Sequence, residues 1–359
     1  MCSDIGVRIL QKGGSAVDAA IAGLVCVGTV NSFHSGIGGG GFMIVRDSDG
    51  TYETIDFRES APTGANANMF VNDTLKAQIG GLSIGVPGEL RGFQYAHEKY
   101  GSLAWEELVE PSIPVARNGF PAGAKLVEAL HAERTHIMSN PLFREIYAPT
   151  GDLVSVGDHI KLTKLSETLE LIAKHGPDIF YDPDGPIAPS LIKTILETGG
   201  IMTMDDLVSF RPVTGKPLST TYRGLKVMSS PAQSSGVILL EILSVLNLYE
   251  FPHDLDAVTL QRIVEAVKFG YAFRTELGDP RYEEHVRRRV KEVLTPEYIL
   301  AVRNNITDVR CYLSRPTDRP LIWKRCRTAH ILSITTIPFS PTRRHPVQHM
   351  LRPWTPAGK

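Results

Sequence analysis

The sequence lacks the features that mark most specialised classes of protein. Only four of its 359 residues are cysteine, its formal net charge is −1, and no apolar run approaches the roughly 18 residues of a membrane-spanning helix. The cysteine spacings match neither a zinc motif nor a dense disulfide framework. Near-neutral charge argues against a nucleic-acid partner. With 42% hydrophobic residues, the chain has ample material for a globular core.

Familiar catalytic motifs are also missing. There is no HExxH, no phosphate-binding P-loop and no Ser/His/Asp arrangement of known spacing. Gly36, Gly38 and Gly41 do satisfy G-x-G-x-x-G, but a dinucleotide site needs a strand before the glycines and a helix after them. Here a helical pattern precedes the glycines and a strand pattern follows. We therefore expect them to allow close approach of another backbone or a ligand, and we predict no cofactor or metal.

The apolar pattern predicts an α+β fold built from layers rather than from βαβ units. Ser15 is predicted to cap the second of two N-terminal helices. Asp49 and Gly50 predict a hairpin between strands at residues 42–46 and 52–58. Further helices are predicted at residues 89–100, 105–117, 165–175, 187–197, 204–210, 236–248 and 260–274, with two short strands within residues 218–229.

Arg58 is a candidate ligand-binding residue. It ends the second predicted hairpin strand, within the sequence Asp-Phe-Arg-Glu-Ser-Ala-Pro of residues 56–62. A guanidinium at a strand end suits a substrate carboxylate, because its planar fork makes two parallel hydrogen bonds to that group. The alternative is a surface ion pair between Arg58 and Glu59 that serves no ligand.

The composition changes abruptly after residue 310. Residues 311–359 contain nine Lys/Arg, a single Asp and seven of the 24 prolines, and they show no sustained periodicity. Such a composition is typical of a disordered or interacting tail, and it is also what translation in a shifted frame produces. We expect two regions: a folded region 1–310, and a basic, proline-rich tail 311–359 that is out of frame or disordered.

Motifs between residue 2 and about residue 309 resemble those of the γ-glutamyltransferase (glutathione hydrolase) family. Each motif is moderately specific, and all occur in the family order. As they stand in this sequence, they are Cys-Ser-Asp-Ile-Gly (2–6), Gly-Gly-Ser-Ala-Val-Asp-Ala-Ala-Ile-Ala (13–22), Gly-Ile-Gly-Gly-Gly (36–40), Phe-Arg-Glu-Ser-Ala-Pro (57–62), Val-Pro-Gly-Glu-Leu-Arg-Gly (86–92), Pro-Ala-Gln-Ser-Ser-Gly (231–236), Glu-Ala (265–266) and Leu-Gly-Asp-Pro (277–280).

The resemblance implies an N-terminal-nucleophile hydrolase with an αββα layered sandwich. Precursors of this family cut themselves before a threonine into a large and a small subunit, and the new N-terminal Thr attacks the γ-glutamyl amide of glutathione. A free α-amine has a pKa of about 7.7–8.0, so such a residue carries its own general base. The γ-glutamyl ester is then resolved by water or by an amino acid or peptide acceptor.

For individual residues, the resemblance assigns Arg58 to the α-carboxylate of the γ-glutamyl group. It also implies that region 1–310 is an N-terminally truncated large subunit, because the match begins almost at Met1. Family members are usually secreted, membrane-anchored or vacuolar, and the chain as written shows no signal or anchor. The small subunit is expected to be missing, which would leave the sandwich incomplete.

The nucleophile has two candidate positions. In the frame as written, Thr328 in Thr-Ala-His is the only string similar to the family's Gly-Thr-(Thr/Ser/Ala)-His, and it follows Arg327 rather than glycine. When the codons that could encode residues 345–359 are translated in the frame that starts one nucleotide earlier, they instead allow the sequence Ser-Gly-Thr-Thr-His-Ala, followed by Val-Asp-x-x-Gly. That string resembles the start of the small subunit. We therefore expect a shifted frame after about residue 310 and no activity from the chain as written.

Two other functions stay open. A non-catalytic or vestigial protein would keep γ-glutamyl recognition through Arg58 and use its basic tail for a partner. Alternatively, Thr328 itself is the nucleophile and is released by self-cleavage after Arg327.

Overall fold

The chain forms two units in a computed structural model, which describes residues 1–252 and 256–308. The first unit comprises Met1–Gly41 and Ile55–Val213, and the second comprises Phe42–Thr54 with the described residues from 214 onward. Thr328 and the tail 311–359 lie outside the described residues.

Helices dominate the described residues, and the strands are short. In chain order the helices are α1 (Cys2–Gln11), α2 (Ala16–Val30), α3 (Glu89–Tyr100), α4 (Trp105–Val109), α5 (Ile113–Asn118), α6 (Ala124–Ala132), α7 (Arg134–Ser139), α8 (Pro141–Tyr147), α9 (Thr163–His175), α10 (Ala188–Glu197), α11 (Met204–Ser209), α12 (Gly236–Leu246), α13 (Ala257–Arg274), α14 (Glu284–Glu292) and α15 (Pro296–Asn305). The strands are β1 (Phe42–Arg46), β2 (Tyr52–Asp56), β3 (Phe120–Pro121), β4 (His159–Ile160), β5 (Val213–Gly215), β6 (Leu218–Tyr222) and β7 (Leu225–Ser229). They pair in the orders β1-β2-β5, β3-β4 and β6-β7.

The N-terminal helices α1 and α2 form a hairpin that is tied by a disulfide between Cys2 and Cys26. The predicted cap at Ser15 is confirmed, since the Ser15 hydroxyl accepts from the Asp18 N–H and the Asp18 carboxylate accepts from the Ser15 N–H. The same Asp18 oxygen accepts from the Ser102 N–H at 2.8 Å, which connects the hairpin to the loop after α3. The start of α2 is therefore fixed both locally and by tertiary contacts.

Reducing the Cys2–Cys26 bond is expected to lower the free energy of unfolding of the first unit by about 3 kcal/mol. The bond joins residues 24 positions apart, and its loss frees that loop in the unfolded chain. Guanidinium unfolding followed by circular dichroism, with and without dithiothreitol, measures the change. The double variant C2S/C26S is the control: its stability should equal that of the reduced wild type and should not change when the reductant is added. If the double variant still responds, another cysteine is responsible.

The predicted strand at residues 52–58 ends early, at Asp56. The Phe57 N–H still bonds to the Gly41 carbonyl at 2.9 Å, but the Arg58 N–H turns to the Asp56 side chain at 3.0 Å. A side chain that accepts from the backbone two residues later forms a turn in place of the strand ladder. Arg58 therefore lies in a turn just beyond the strand.

The predicted helix at residues 105–117 is also broken. It consists of α4, a 3-10 turn at Glu110–Ser112, and α5. Pro111 lies in the turn and Pro114 in the first turn of α5, and a proline inside a helix removes one hydrogen bond and clashes with the preceding turn. Helices α6, α7, α8, α14 and α15 were not anticipated from the sequence.

The second unit has its core between α12, α13, α14 and α15. One buried cluster includes Tyr249, Phe269 and Val302, and another includes Val237 and Phe273. Helices α12 and α13 pack closely at Gly270, where an added Cβ would lie 2.8 Å from Ile242 Cγ1. The sequence predicted both helices, and their apolar faces form this core.

Candidate functional site

The glycine segment, defined here as residues 36–41, connects α2 to β1. This order, helix before and strand after, excludes the dinucleotide arrangement, as the sequence indicated. An added Cβ on Gly40 would lie 2.3 Å from the Phe57 carbonyl oxygen and 3.0 Å from the Arg58 Cα. The backbone of the glycine segment therefore lies directly against the Phe57–Arg58 backbone, at a distance that only glycine permits.

Replacing Gly40 by alanine is expected to destabilise the first unit by about 2 kcal/mol, because the new methyl group has no room and the neighbouring atoms belong to backbone. Gly38 provides a matched control two residues away, since no atom lies within 4 Å of its Cβ position. Urea unfolding of Gly40→Ala and Gly38→Ala measures the difference. Equal stabilities for the two variants would contradict the close approach.

Arg58 is exposed, and its side chain makes no hydrogen bond or ion pair with any described residue. The ion pair with Glu59, which was the alternative from the sequence, is thus not formed. The Glu59 side chain turns toward the glycine segment instead, with Oε1 3.4 Å from the position of a Cβ on Gly39. The Arg58 guanidinium is held on a fixed backbone and is available to an anionic ligand.

The N-terminus of α3 also contacts the glycine segment. The N–H groups of Gly88 and Glu89 both donate to the Gly39 carbonyl, at 2.8 and 3.0 Å. Just before them, the Val86 N–H donates to the Ser60 carbonyl at 2.8 Å. These bonds join residues of three separate motifs, the glycine segment, residues 57–62 and residues 86–92, in one site.

Glu89 is the titratable group buried at the centre of this arrangement, with 3% of its surface exposed. Its pKa is raised to about 8: burial is the main cause, the hydrogen bond with the Gly36 N–H opposes the shift, and the neighbouring Glu59 carboxylate adds to it. One carboxyl oxygen, Oε1, has no hydrogen-bond partner. Glu89 is therefore protonated at neutral pH, since an unpaired buried carboxylate is too costly.

A cavity of about 270 Å³ is lined in part by the glycine segment. Its lining includes Ser35, Gly36 and Gly38 from the segment, and Lys161 and Lys164 around the start of α9. Arg58 is not among the lining residues. Arg58 itself is exposed.

Sequence reasoning singled out Arg58 as a candidate but did not point to Glu89 or to the disulfide. A Glu in the first turn of a helix is ordinarily an exposed partner of the helix dipole, and nothing in the sequence marks Glu89 as buried. The disulfide did have a signal: Cys2 and Cys26 lie ten and eleven residues from the ends of the turn between Lys12 and Ser15, so a helical hairpin brings them level. Thr328 lies outside the described residues.

No helix among the described residues is long and apolar enough to cross a membrane. Within the same ranges, no group of three or more His, Cys, Asp or Glu side chains is placed to hold a metal ion.

Comparison with known proteins supports the family resemblance of the sequence motifs. The family model described as gamma-glutamyltranspeptidase matches residues 2–332, and the chain belongs to this family. Its curated relatives include Scoloptoxin SSD14 of Scolopendra dehaani, 42% identical over 92% of this chain and 58% of the relative. Another is glutathione hydrolase proenzyme 1 of Schizosaccharomyces pombe, 40% identical over 87% of this chain and 50% of the relative. The chain spans about half the length of the curated relatives it matches.

Solved structures give the same result. The gamma-glutamyltranspeptidase of Helicobacter pylori superposes with a TM-score of 0.80 at 27% identity, covering 90% of this chain and 92% of that one. A gamma-glutamyltranspeptidase from Pseudomonas nitroreducens, complexed with L-DON, gives a TM-score of 0.78 at 29% identity, over 86% of this chain and 93% of that one. The fold is therefore the α+β fold of the N-terminal-nucleophile hydrolases, as the resemblance implied.

Proposed function

We propose that this chain is the large-subunit portion of a glutathione hydrolase, in which Arg58 binds the α-carboxylate of the γ-glutamyl substrate. The observation that supports this most directly is the exposed Arg58 guanidinium, which has no partner among the described residues and stands on a backbone fixed by the glycine segment. A guanidinium so placed forms two parallel hydrogen bonds to a carboxylate. Membership of the gamma-glutamyltranspeptidase family supplies the substrate class.

The chemistry belongs to an N-terminal threonine on a small subunit released by autoprocessing. Its α-amine takes the proton from the hydroxyl, and the oxygen attacks the γ-glutamyl carbonyl. The α-ammonium returns this proton to the amide nitrogen as its bond to the carbonyl carbon breaks, so cysteinylglycine leaves as a free amine and a γ-glutamyl ester remains on the threonine. Water, an amino acid or a dipeptide then attacks the ester, so hydrolysis and transfer share one intermediate. The exposure of Arg58 is consistent with a second chain that covers it.

We further propose that the frame shifts after about residue 310 and that the chain as written is inactive. Sequencing the transcript across the codons of residues 310–359 tests this. A frame that encodes Gly-Thr-Thr-His and continues into a small subunit supports the proposal. A transcript that ends as written contradicts it and leaves Thr328, within the matched segment, as the candidate nucleophile.

The purified 359-residue chain provides a second test. It should release no glutamate from glutathione above the uncatalysed rate, and its mass should be intact. A fragment that begins at Thr328, together with activity, would instead identify Thr328 as the nucleophile. A non-catalytic γ-glutamyl-binding protein is the alternative: it would show the intact transcript, no activity, and glutamate binding that depends on Arg58.

A further inference from the structure

Glu89 lies against the glycine segment at two of its residues. Its backbone N–H donates to the Gly39 carbonyl at 3.0 Å, and its buried carboxyl faces the Gly36 N–H. Gly40, the next residue along, is the one whose Cβ position lies 3.0 Å from the Arg58 Cα. A single residue is thus connected through the glycine segment to the Arg58 backbone.

We infer that Glu89 is a positioning residue for Arg58: its buried carboxyl and its backbone N–H together hold the glycine segment against the Arg58 backbone. The inference rests on the proposed function only in treating Arg58 as the group that binds the substrate carboxylate. Glu89 does not touch the ligand, because it is enclosed behind the glycine segment with 3% of its surface exposed.

The geometry explains why the carboxyl must be uncharged. A carboxylate at this position would have one N–H donor from Gly36 and an unpartnered oxygen, Oε1, in a site closed to water. The groups facing it add no compensation: Glu59 carries a like charge, and the buried Tyr181 phenol, whose hydroxyl donates to the Pro87 carbonyl at 3.1 Å, is uncharged. Ionisation therefore favours opening of the segment, where water reaches the carboxyl.

Amide hydrogen exchange on the 359-residue chain measures that opening without any ligand. The relevant N–H groups are those of Gly36, Gly39, Gly88 and Glu89, and their rates are expressed relative to an unstructured peptide at the same pH. If opening releases Glu89 to its ordinary pKa of 4.5, protection in the wild type should fall about tenfold per pH unit between pH 5.5 and 7.5. It should level off above pH 8.

Three variants separate positioning from general packing. Glu89→Gln keeps an acceptor for the Gly36 N–H and cannot ionise, so its protection should not change with pH. Glu89→Ala removes the acceptor, so its protection should already be low at pH 5.5. Glu241→Gln is the matched control, since Glu241 is a second buried carboxyl with a pKa of about 8, in the other unit; it should leave the exchange of these four groups as in the wild type.

The inference is overturned if Glu89→Gln loses protection with rising pH as the wild type does, or if Glu89→Ala keeps wild-type protection at pH 5.5. Should Glu89→Ala fail to fold, the comparison of wild type with Glu89→Gln across pH carries the test. Glutamate affinity measured on the same samples tests the proposed function separately. Absence of binding at every pH, with the expected exchange pattern, would contradict the role of Arg58 and leave the Glu89 contacts intact.

Discussion

Replacing Arg58 by alanine is expected to weaken the binding of L-glutamate to this chain by at least about 100-fold, and replacing it by lysine by about tenfold. Lysine keeps the charge but loses the planar pair of donors that matches a carboxylate. The effect arises in recognition and not in folding, because the Arg58 side chain is exposed and bonds to no described residue. Isothermal titration calorimetry of the three proteins measures it.

Two controls make this result specific to the α-carboxylate. Arg46, an exposed arginine at the end of β1, should tolerate alanine with no change in glutamate affinity. The ligand 4-aminobutyrate is glutamate without its α-carboxylate, so the wild type should bind it as weakly as Arg58→Ala does, and the substitution should cause no further loss. Wild-type affinity of Arg58→Ala for glutamate would show that the α-carboxylate is bound elsewhere.

The local elements were predicted well because their determinants are local. The Ser15 cap, the helix over Glu89–Tyr100 and the two short strands within residues 218–229 were all predicted from short patterns. Arg223 and Gly224 form the turn between those two strands. Both turn residues have positive φ, at 51° and 80°, as a tight two-residue hairpin turn requires. Where a predicted strand ended early, the Asp56 side chain had taken over a backbone bond, and where a predicted helix was broken, prolines lay at the break.

The candidate site was only half predictable, and for a physical reason. Arg58 was singled out because its chemistry and its place at a strand end are visible in the sequence. That three motifs meet around it depends on bonds between residues far apart in the chain, such as Val86 to Ser60 and Gly88 to Gly39. No periodicity encodes such contacts, because they form only when the chain folds.

Glu241, in the second unit, is another buried group that could not be predicted from the sequence. It lies on α12 among apolar residues, and periodicity assigned that helix to the core without marking the one carboxyl that it buries. Only 1% of its surface is exposed, and neither carboxyl oxygen has a hydrogen-bond partner. Burial raises its pKa to about 8; Arg289 opposes the shift, while Glu276 adds to it. Arg289 is already bonded to Glu276 and Glu292, each at 2.8 Å, and so compensates Glu241 little.

The free energy of unfolding of the second unit should therefore depend strongly on pH. The folded pKa of Glu241 lies above its ordinary value of 4.5, so the folded state holds a proton that the unfolded chain releases. Its stabilising contribution is complete below about pH 4.5 and is lost as the pH rises to about 8. Relative to a variant that cannot ionise, the free energy of unfolding of the second unit should fall by about 4 kcal/mol between pH 5 and pH 9.

Urea unfolding of the wild type and Glu241→Gln at pH 5, 7 and 9 measures this difference. Glutamine is nearly isosteric and carries no charge, so the variant should gain stability over the wild type with each step in pH, most of the gain coming before pH 8. Glu284→Gln, at an exposed position in the first turn of α14, is the control and should differ from the wild type by less than about 0.5 kcal/mol at every pH. A constant difference between wild type and Glu241→Gln would mean that Glu241 is ionised in the fold, and water or a cation must then reach the space between α12 and α14.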